Sequence, residues 1–302
     1  MASIIQISHL TKDFGPLRAV EDLSFDIQAG SIVGFLGPNG SGKTTTLRAL
    51  LGLVEPTSGT AHVDGRPYRE LHDPLRRVGV MLEAAAHPSR SAQAHLRVLA
   101  AEAGMPASRV QELLALVELE HAARRKVGGF SLGMRQRLGL AGALIGDPQI
   151  LVLDEPANGL DPEGIRWLRD FLRGLAAEGR RILLSSPVLA EVAQTVDEAV
   201  VIAGGRLVAH APLDELLGLG AGESRVRVRS SDLSALAAAL VAAGADVTAG
   251  DGHDELVVAG ASQQTVAETA FDAGVVVYAL SLESHSLEDV FFHLTTPKEA
   301  VA

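Results

Sequence analysis

Eight residues near the start of the chain limit its fold more than any other feature: Gly37-Pro38-Asn39-Gly40-Ser41-Gly42-Lys43-Thr44. They follow a short apolar run, Ile32–Leu36, and open a stretch of helical spacing from Lys43 to Leu53, so the order is strand, glycine-rich loop, helix. Glycines in such a loop let successive backbone N–H groups converge on phosphate oxygens, and the positive end of the following helix adds to the attraction. Lys43 can reach the outer phosphates, and the Thr44 hydroxyl can ligate Mg²⁺. The alternative is a glycine-rich turn with an incidental lysine. With four lysines and 31 glycines in 302 residues, an accidental match is on the order of a few in a thousand. The loop therefore predicts a polyphosphate site.

The surrounding pattern predicts an α/β fold. Residues 3–9 and 23–36 read as strands separated by the turn Asp13-Phe14-Gly15-Pro16, and further short strands fall near 60–63 and 78–82. Residues 92–146 carry apolar residues at helical spacing, with breaks at Gly104-Met105-Pro106 and Gly128-Gly129, which gives three or four helices. Strand signals return at Ile150–Leu153, Arg181–Leu184 and Ala199–Ile202, alternating with helical runs at 162–178 and 188–195. That alternation predicts a parallel sheet with crossover helices. Around Gly218–Glu223 the composition turns small and polar, which divides the chain into domains 1–218 and 219–302. The second reads strand (225–229), helix (231–243), strand (245–249), strand (254–259), helix (261–273), strand (274–281), the order of a split βαβ, ferredoxin-like α+β sandwich. A last amphipathic helix starts at Ser286, with Asp289 three residues on to complete the cap.

Composition excludes several chemistries. There is no cysteine, so disulfides, Cys-ligated zinc, iron–sulfur clusters and thiol catalysis are all absent. A net charge of −11 disfavours unaided binding to nucleic acid or to an anionic lipid surface. The opening MASIIQISHLTKDFG lacks a basic segment followed by a long apolar one, and no run of about 18 apolar residues follows, so neither a secretion signal nor a membrane span is expected.

A second chemical signal is Ile150-Leu151-Val152-Leu153-Asp154-Glu155, an apolar run too continuous for a half-exposed strand that ends in two carboxylates. At the carboxyl end of a central strand Asp154 can hold Mg²⁺ through water, and Glu155 can orient and polarise an attacking water. Alone, the two read equally well as ordinary strand-end or capping acids; beside the phosphate loop the catalytic reading gains. A third signal, Phe130-Ser131-Leu132-Gly133-Met134-Arg135-Gln136-Arg137, opens a helix running to Ile145 with Ser131 as its cap. The Ser131 hydroxyl and the free N–H groups near Gly133 form either a second anion site or a plain capped helix start.

Together, Gly37–Thr45, Phe130–Gln136, Ile150–Glu155 and Gly159-Leu160-Asp161 resemble the Walker A, signature, Walker B and D-loop motifs of ABC transporter ATPases, in the family's order and roughly its spacing. The resemblance covers residues 1–218, and the tail Ser286-Leu287-Glu288-Asp289-Val290-Phe291 is similar to the C-terminal extension of exporters of the daunorubicin and bacitracin resistance type. It implies a P-loop NTPase core with a helical subdomain over about 84–146, and a head-to-tail dimer holding ATP between Walker A of one subunit and the signature of the other. Gly37 to Gly42, Lys43, Thr44 and Thr45 would then bind the nucleotide, and Ser131 and Gly133 would meet the partner's. Asp161 would contact the partner or act only as a cap before Pro162. Phe14 is similar to the aromatic that stacks on adenine, although a core phenylalanine is its bland alternative. Thr44, Asp154 and Glu83 would serve Mg²⁺, and Lys43, Asp154 and Glu155 catalysis. Transmembrane permease subunits on separate chains and a second nucleotide-binding subunit, in a homodimer or else as a different cassette, are the implied partners at the cytoplasmic face of the membrane, with no nucleic acid.

Two positions depart from the family pattern. Glu83 stands where the family commonly has glutamine, and an acid cannot donate a hydrogen bond as an amide can. In Ser185-Ser186-Pro187, proline occupies the place of the switch histidine and offers neither a polar side chain nor an N–H. Slower hydrolysis follows, or help from a neighbour such as Ser186, and a cassette that binds ATP without turning it over well becomes the alternative to an active exporter subunit. A non-transport ABC ATPase acting on DNA or ribosomes fits less well, because the interval from loop to signature is short and the chain acidic. His9, His95, His210 and His285 are isolated in sequence and read as surface or packing residues.

Overall fold

The computed structural model describes residues 4–28, 32–82, 86–188, 192–220, 225–250 and 254–283. They belong to two compact units, the first ending at Leu213 and the second beginning at Asp214.

The first unit holds two sheets. An antiparallel one has the order β2-β1-β4, from β1 (Ile5–Phe14), β2 (Leu17–Ile27) and β4 (Ser58–Val63). The second has six strands in the order β5-β6-β7-β3-β8-β9, from β3 (Ile32–Leu36), β5 (Val78–Met81), β6 (Ile150–Asp154), β7 (Arg181–Ser186), β8 (Glu198–Ala203) and β9 (Arg206–Pro212). The first five lie parallel and β9 returns antiparallel to β8. Every residue of β3 and of β6 is buried, which is why both read as unbroken apolar runs rather than alternating ones. Each fully buried Ile, Leu or Val in them contributes about 1.5–3 kcal/mol. Phe25 of β2 meets Phe35 of β3 with ring centroids 5.5 Å apart, joining the two sheets around one core.

Helix α1 (Lys43–Leu50) follows the loop after β3, and a single turn, α2 (Pro74–Arg77), precedes β5. The helical block is α3 (Ala92–Glu102), α4 (Ala107–Leu116) and α5 (Leu132–Ala143), packed on one another. Ser91 caps α3, which buries Ala92, Leu96 and Ala100 at four-residue intervals. Helix α6 (Pro162–Ala177) crosses from β6 to β7 and buries Leu168, Leu172 and Leu175.

Helix α7 (Leu213–Gly220) starts at the last residue before the division, and the second unit continues β10 (Arg225–Ser230), α8 (Leu233–Ala242), β11 (Asp246–Ala249), β12 (Glu255–Ala259), α9 (Gln263–Asp272) and β13 (Val277–Glu283). Its strand order, β11-β12-β10-β13, is antiparallel throughout. Val226, Val228, Leu236, Leu240, Val258 and Val266 form its own core. The sequence pattern missed β9 and α7. The expected helix at 188–195 lies partly, and the one from Ser286 wholly, outside the described residues.

Candidate functional site

The loop between β3 and α1 takes its shape from glycines that no other residue could replace without movement. Gly42 has φ +101°, and a Cβ there would come within 2.5 Å of the Ala19 carbonyl oxygen of β2. A Cβ on Gly37 would come within 2.4 Å of the Ile202 carbonyl and 2.5 Å of Ser41 Oγ. Gly205, in the turn between β8 and β9, also abuts Ala19, its would-be Cβ 2.9 Å from the same carbonyl. Loop, hairpin and turn therefore converge on one stretch of β2. Gly40, at φ +81°, faces open space, and Pro38 and Asn39 are exposed. Ser41 is buried and its hydroxyl has no hydrogen-bond partner, an unsatisfied group inside the cradle.

Lys43 is buried, and its Nζ donates to the carbonyls of Gly37 at 2.7 Å and Pro38 at 3.2 Å, curling over the loop that carries it. Burial pushes its ammonium below the ordinary lysine range, and the charges of Glu155 and Asp154 oppose that shift. Thr44 and Thr45 follow in the first turn of α1, half-buried. Thr44 Oγ1 donates to Asp154 Oδ2 at 2.8 Å, although 110 residues separate them. The loop hydroxyl and the strand-end carboxylate expected to serve the same Mg²⁺ are thus adjacent, and they supply hard oxygen donors of the kind that ion takes. With the buried ammonium and the unpartnered Ser41, they fit a magnesium–polyphosphate.

Asp154 ends β6 and is buried. The Ser185 hydroxyl donates to its other oxygen, Oδ1, and accepts the backbone N–H of Glu155 at 3.0 Å. Glu155 itself has φ +47°, a left-handed conformation costly for a residue with a side chain. Asn158 donates its backbone N–H to the Glu155 carbonyl at 3.1 Å and its side-chain amide to Glu155 Oε2 at 3.4 Å. Sequence reading did not single out Ser185 or Asn158. The signal for Ser185 is register: β7 lies between β6 and β3, with Ser185 opposite Asp154 and Ser186 opposite Leu36. That register sets Pro187, next in chain, at the carboxyl ends of the strands leading to the phosphate loop and to the acidic pair. The hydroxyl of Ser186, the neighbour expected to help there, donates to the Val188 carbonyl and accepts the Val188 N–H, both at 3.0 Å.

The signature segment sits at the start of α5. The Ser131 hydroxyl accepts the Met134 N–H at 3.2 Å, and Asp161 Oδ1 accepts the Gly164 N–H at 2.8 Å, so both residues act as helix caps in the isolated chain. Ser131, Gly133, Gln136, Asp161 and Trp167 line an open cavity of about 410 Å³. Gln136 donates to the Asn158 carbonyl at 3.3 Å, which links α5 to the turn after Glu155, and its own carbonyl oxygen is buried without a partner. Phe14 lies at the tip of the β1–β2 hairpin and is 48% exposed, under the Lys12 ammonium at 4.9 Å, so it is not a core residue. Glu83 lies outside the described residues, as does His285. His210, on the outermost strand of the six-stranded sheet, pairs with Glu198 at 2.6 Å, and His9 pairs with Asp22 at 2.7 Å.

Comparison with known proteins agrees with this geometry. A family described as ABC transporter matches residues 20–158, and a domain of unknown function matches residues 224–288. The chain is 41% identical to the bacitracin transport ATP-binding protein BcrA of Bacillus licheniformis over 72% of this chain and 72% of that one. It is 38% identical to the Nod factor export ATP-binding protein I of Ralstonia nicotianae, over 77% and 74%. Among solved structures, one titled as the ATP binding subunit of an ABC transporter superposes with a TM-score of 0.64 at 28% identity, over 71% of this chain and 92% of that chain.

Proposed function

This chain belongs to the ABC transporter family of ATP-binding ATPases, and from that premise we propose that it is the nucleotide-binding subunit of an exporter, driving membrane-spanning permease subunits carried on separate chains. The observation that carries the reading is the contact between Thr44 and Asp154 beside the buried Lys43, which brings the two expected motifs into one site. Export is supported by the relatives named for bacitracin transport and Nod factor export. Separate permeases are supported by the absence, among the described residues, of any helix long and apolar enough to cross a membrane.

In this reading the backbone N–H groups of residues 39–44 and the Lys43 ammonium take up the β- and γ-phosphates, with Lys43 exchanging its loop carbonyls for phosphate oxygens. Thr44 and Asp154, with Glu83 as a further expected ligand, would hold Mg²⁺, which would supply positive charge to offset that developing on the phosphates. Glu155 orients a water and accepts its proton as the new O–P bond forms and the bond to the leaving ADP oxygen breaks. Phe14 offers its exposed face to adenine. The Ser131 and Gly133 end of α5 and the Asp161 loop face the nucleotide of a second copy, which would give the open cavity its occupant. A homodimer at the cytoplasmic face of the membrane completes the arrangement.

Pro187 favours a second reading, in which the cassette closes on ATP and turns it over slowly. Detergent solubilisation of membranes from the native cell, capture of the chain and identification of what co-purifies tests the exporter reading: permease-type membrane proteins support it, and their absence overturns it. The ATPase rate of the captured complex separates the two readings.

A further inference from the structure

Ser185 is fully buried at the end of β7 and joins two groups that the hydrolytic site requires in different roles. Its one proton goes to Asp154 Oδ1, and a lone pair receives the Glu155 N–H. Thr44 occupies Asp154 Oδ2, so the carboxylate is held from both sides by hydroxyls, one from the loop and one from β7. A carboxylate bound at one oxygen can still turn about its last bond, whereas one bound at both has its plane fixed. Glu155 leaves the strand in a left-handed turn at φ +47°, a conformation that persists only where the surroundings determine it. The bond from its N–H to Ser185 is the constraint at the entry of that turn, and the Asn158 N–H on its carbonyl is the one at the exit.

We propose that Ser185 is a positioning residue for ATP hydrolysis, fixing the plane of the Asp154 carboxylate and the direction in which Glu155 enters the site. Among the described residues of this segment none duplicates it: the Ser186 hydroxyl is committed to Val188, and Pro187 has no donor. The inference rests on the assignment of Asp154 to Mg²⁺ and of Glu155 to the attacking water.

The test uses the full chain carrying Ser185→Ala, Ser185→Thr or Glu155→Gln. Three quantities are read: kcat and KM for ATP, the Mg²⁺ concentration at the midpoint of tight ATP binding by calorimetry, and the thermal unfolding midpoint. Groups that orient a metal ligand typically change affinity or rate by about 10–100-fold. Ser185→Ala is expected to lower kcat by at least about tenfold, to leave KM nearly unchanged and to raise the Mg²⁺ midpoint. Ser185→Thr keeps the hydroxyl and is expected to restore both. If Ser185→Ala only lowers the unfolding midpoint, with parental kcat and Mg²⁺ midpoint, the residue is structural and the proposal fails. It fails also if Ser185→Thr melts like the parent yet has the kinetics of Ser185→Ala. If Glu155→Gln hydrolyses ATP at the parental rate, the assignment of Glu155 fails and the proposal falls with it, whereas an inactive Glu155→Gln beside a fully active Ser185→Ala overturns the proposal alone.

Discussion

The Lys43 ammonium lies 2.7 Å from the carbonyl oxygen of Gly37, six residues before it in the same loop. The charge is satisfied by the loop's own backbone, so in the proposed reading ATP binding is an exchange of partners rather than the filling of a vacancy. Lys43→Ala removes the only side-chain cation placed over the cradle by the described contacts, and it should weaken ATP binding by about 10²-fold or more while changing unfolding little. Titration calorimetry with Mg·ATP checks it; parental affinity would show that phosphates do not bind here.

Glu155 projects from a strained turn beside Asp154 without touching Lys43 or Thr44 in any hydrogen bond described. Glu155→Gln keeps shape and removes the basic oxygen, so hydrolysis should fall by about 10²–10⁴-fold with binding retained. ATP should then hold two copies together. Size-exclusion chromatography with and without ATP reads the outcome, and an ATP-independent monomer contradicts the two-copy arrangement.

Pro187 follows a strand whose register places it between the phosphate loop and the acidic pair. Pro187→His supplies an imidazole at that place and should raise turnover several-fold. Steady-state phosphate release measures it, and an unchanged or lower rate shows that the position does not limit hydrolysis.

Acid stability is expected to depend on Asp147, whose carboxyl is held below the ordinary value of 3.8 chiefly by its hydrogen bond from Arg180, with Arg109 and Arg76 adding to the effect. A carboxylate with a depressed pKa stabilises the fold above its unfolded value, and that contribution is lost as pH falls through the folded value. Asp147→Asn should therefore melt lower than the parent near neutrality. Because the side chain is half exposed, the difference should be about 1 kcal/mol or less. It should shrink below about pH 4 and vanish at the acid extreme. Melting curves across pH decide this, and a constant difference excludes the ionised pair as its source.

What the sequence disclosed follows from how local each signal is. The phosphate loop is a single short run whose glycines, lysine and threonine lie within eight consecutive residues, so spacing alone marks it. The carboxyl end of β6 was readable for the same reason: an unbroken apolar run reports burial on both faces, and the acids at its end report where that burial stops. Ser185 was hidden because its role depends on a parallel pairing between strands separated by a whole helix, and no window on the sequence contains both partners. β9 could have been found. Gly204 and Gly205 both take positive φ, at 54° and 80°, and join β8 to β9 as a two-residue hairpin turn, and a Gly-Gly pair between two apolar runs is the standard mark of one. Phe14 shows a further limit: composition favours packing for any phenylalanine, and only the hairpin tip reveals an exposed ring.

Gly42 and Gly205 grip β2 from two sides at Ala19, one belonging to the phosphate loop and the other to the turn at the edge of the six-stranded sheet. There is no room for a side chain between these backbones, so main chain alone sets how closely the antiparallel sheet approaches the phosphate loop. A single methyl group at Gly205 would have to push β2 aside, and one at Gly42 would in addition displace the main chain of the phosphate loop itself.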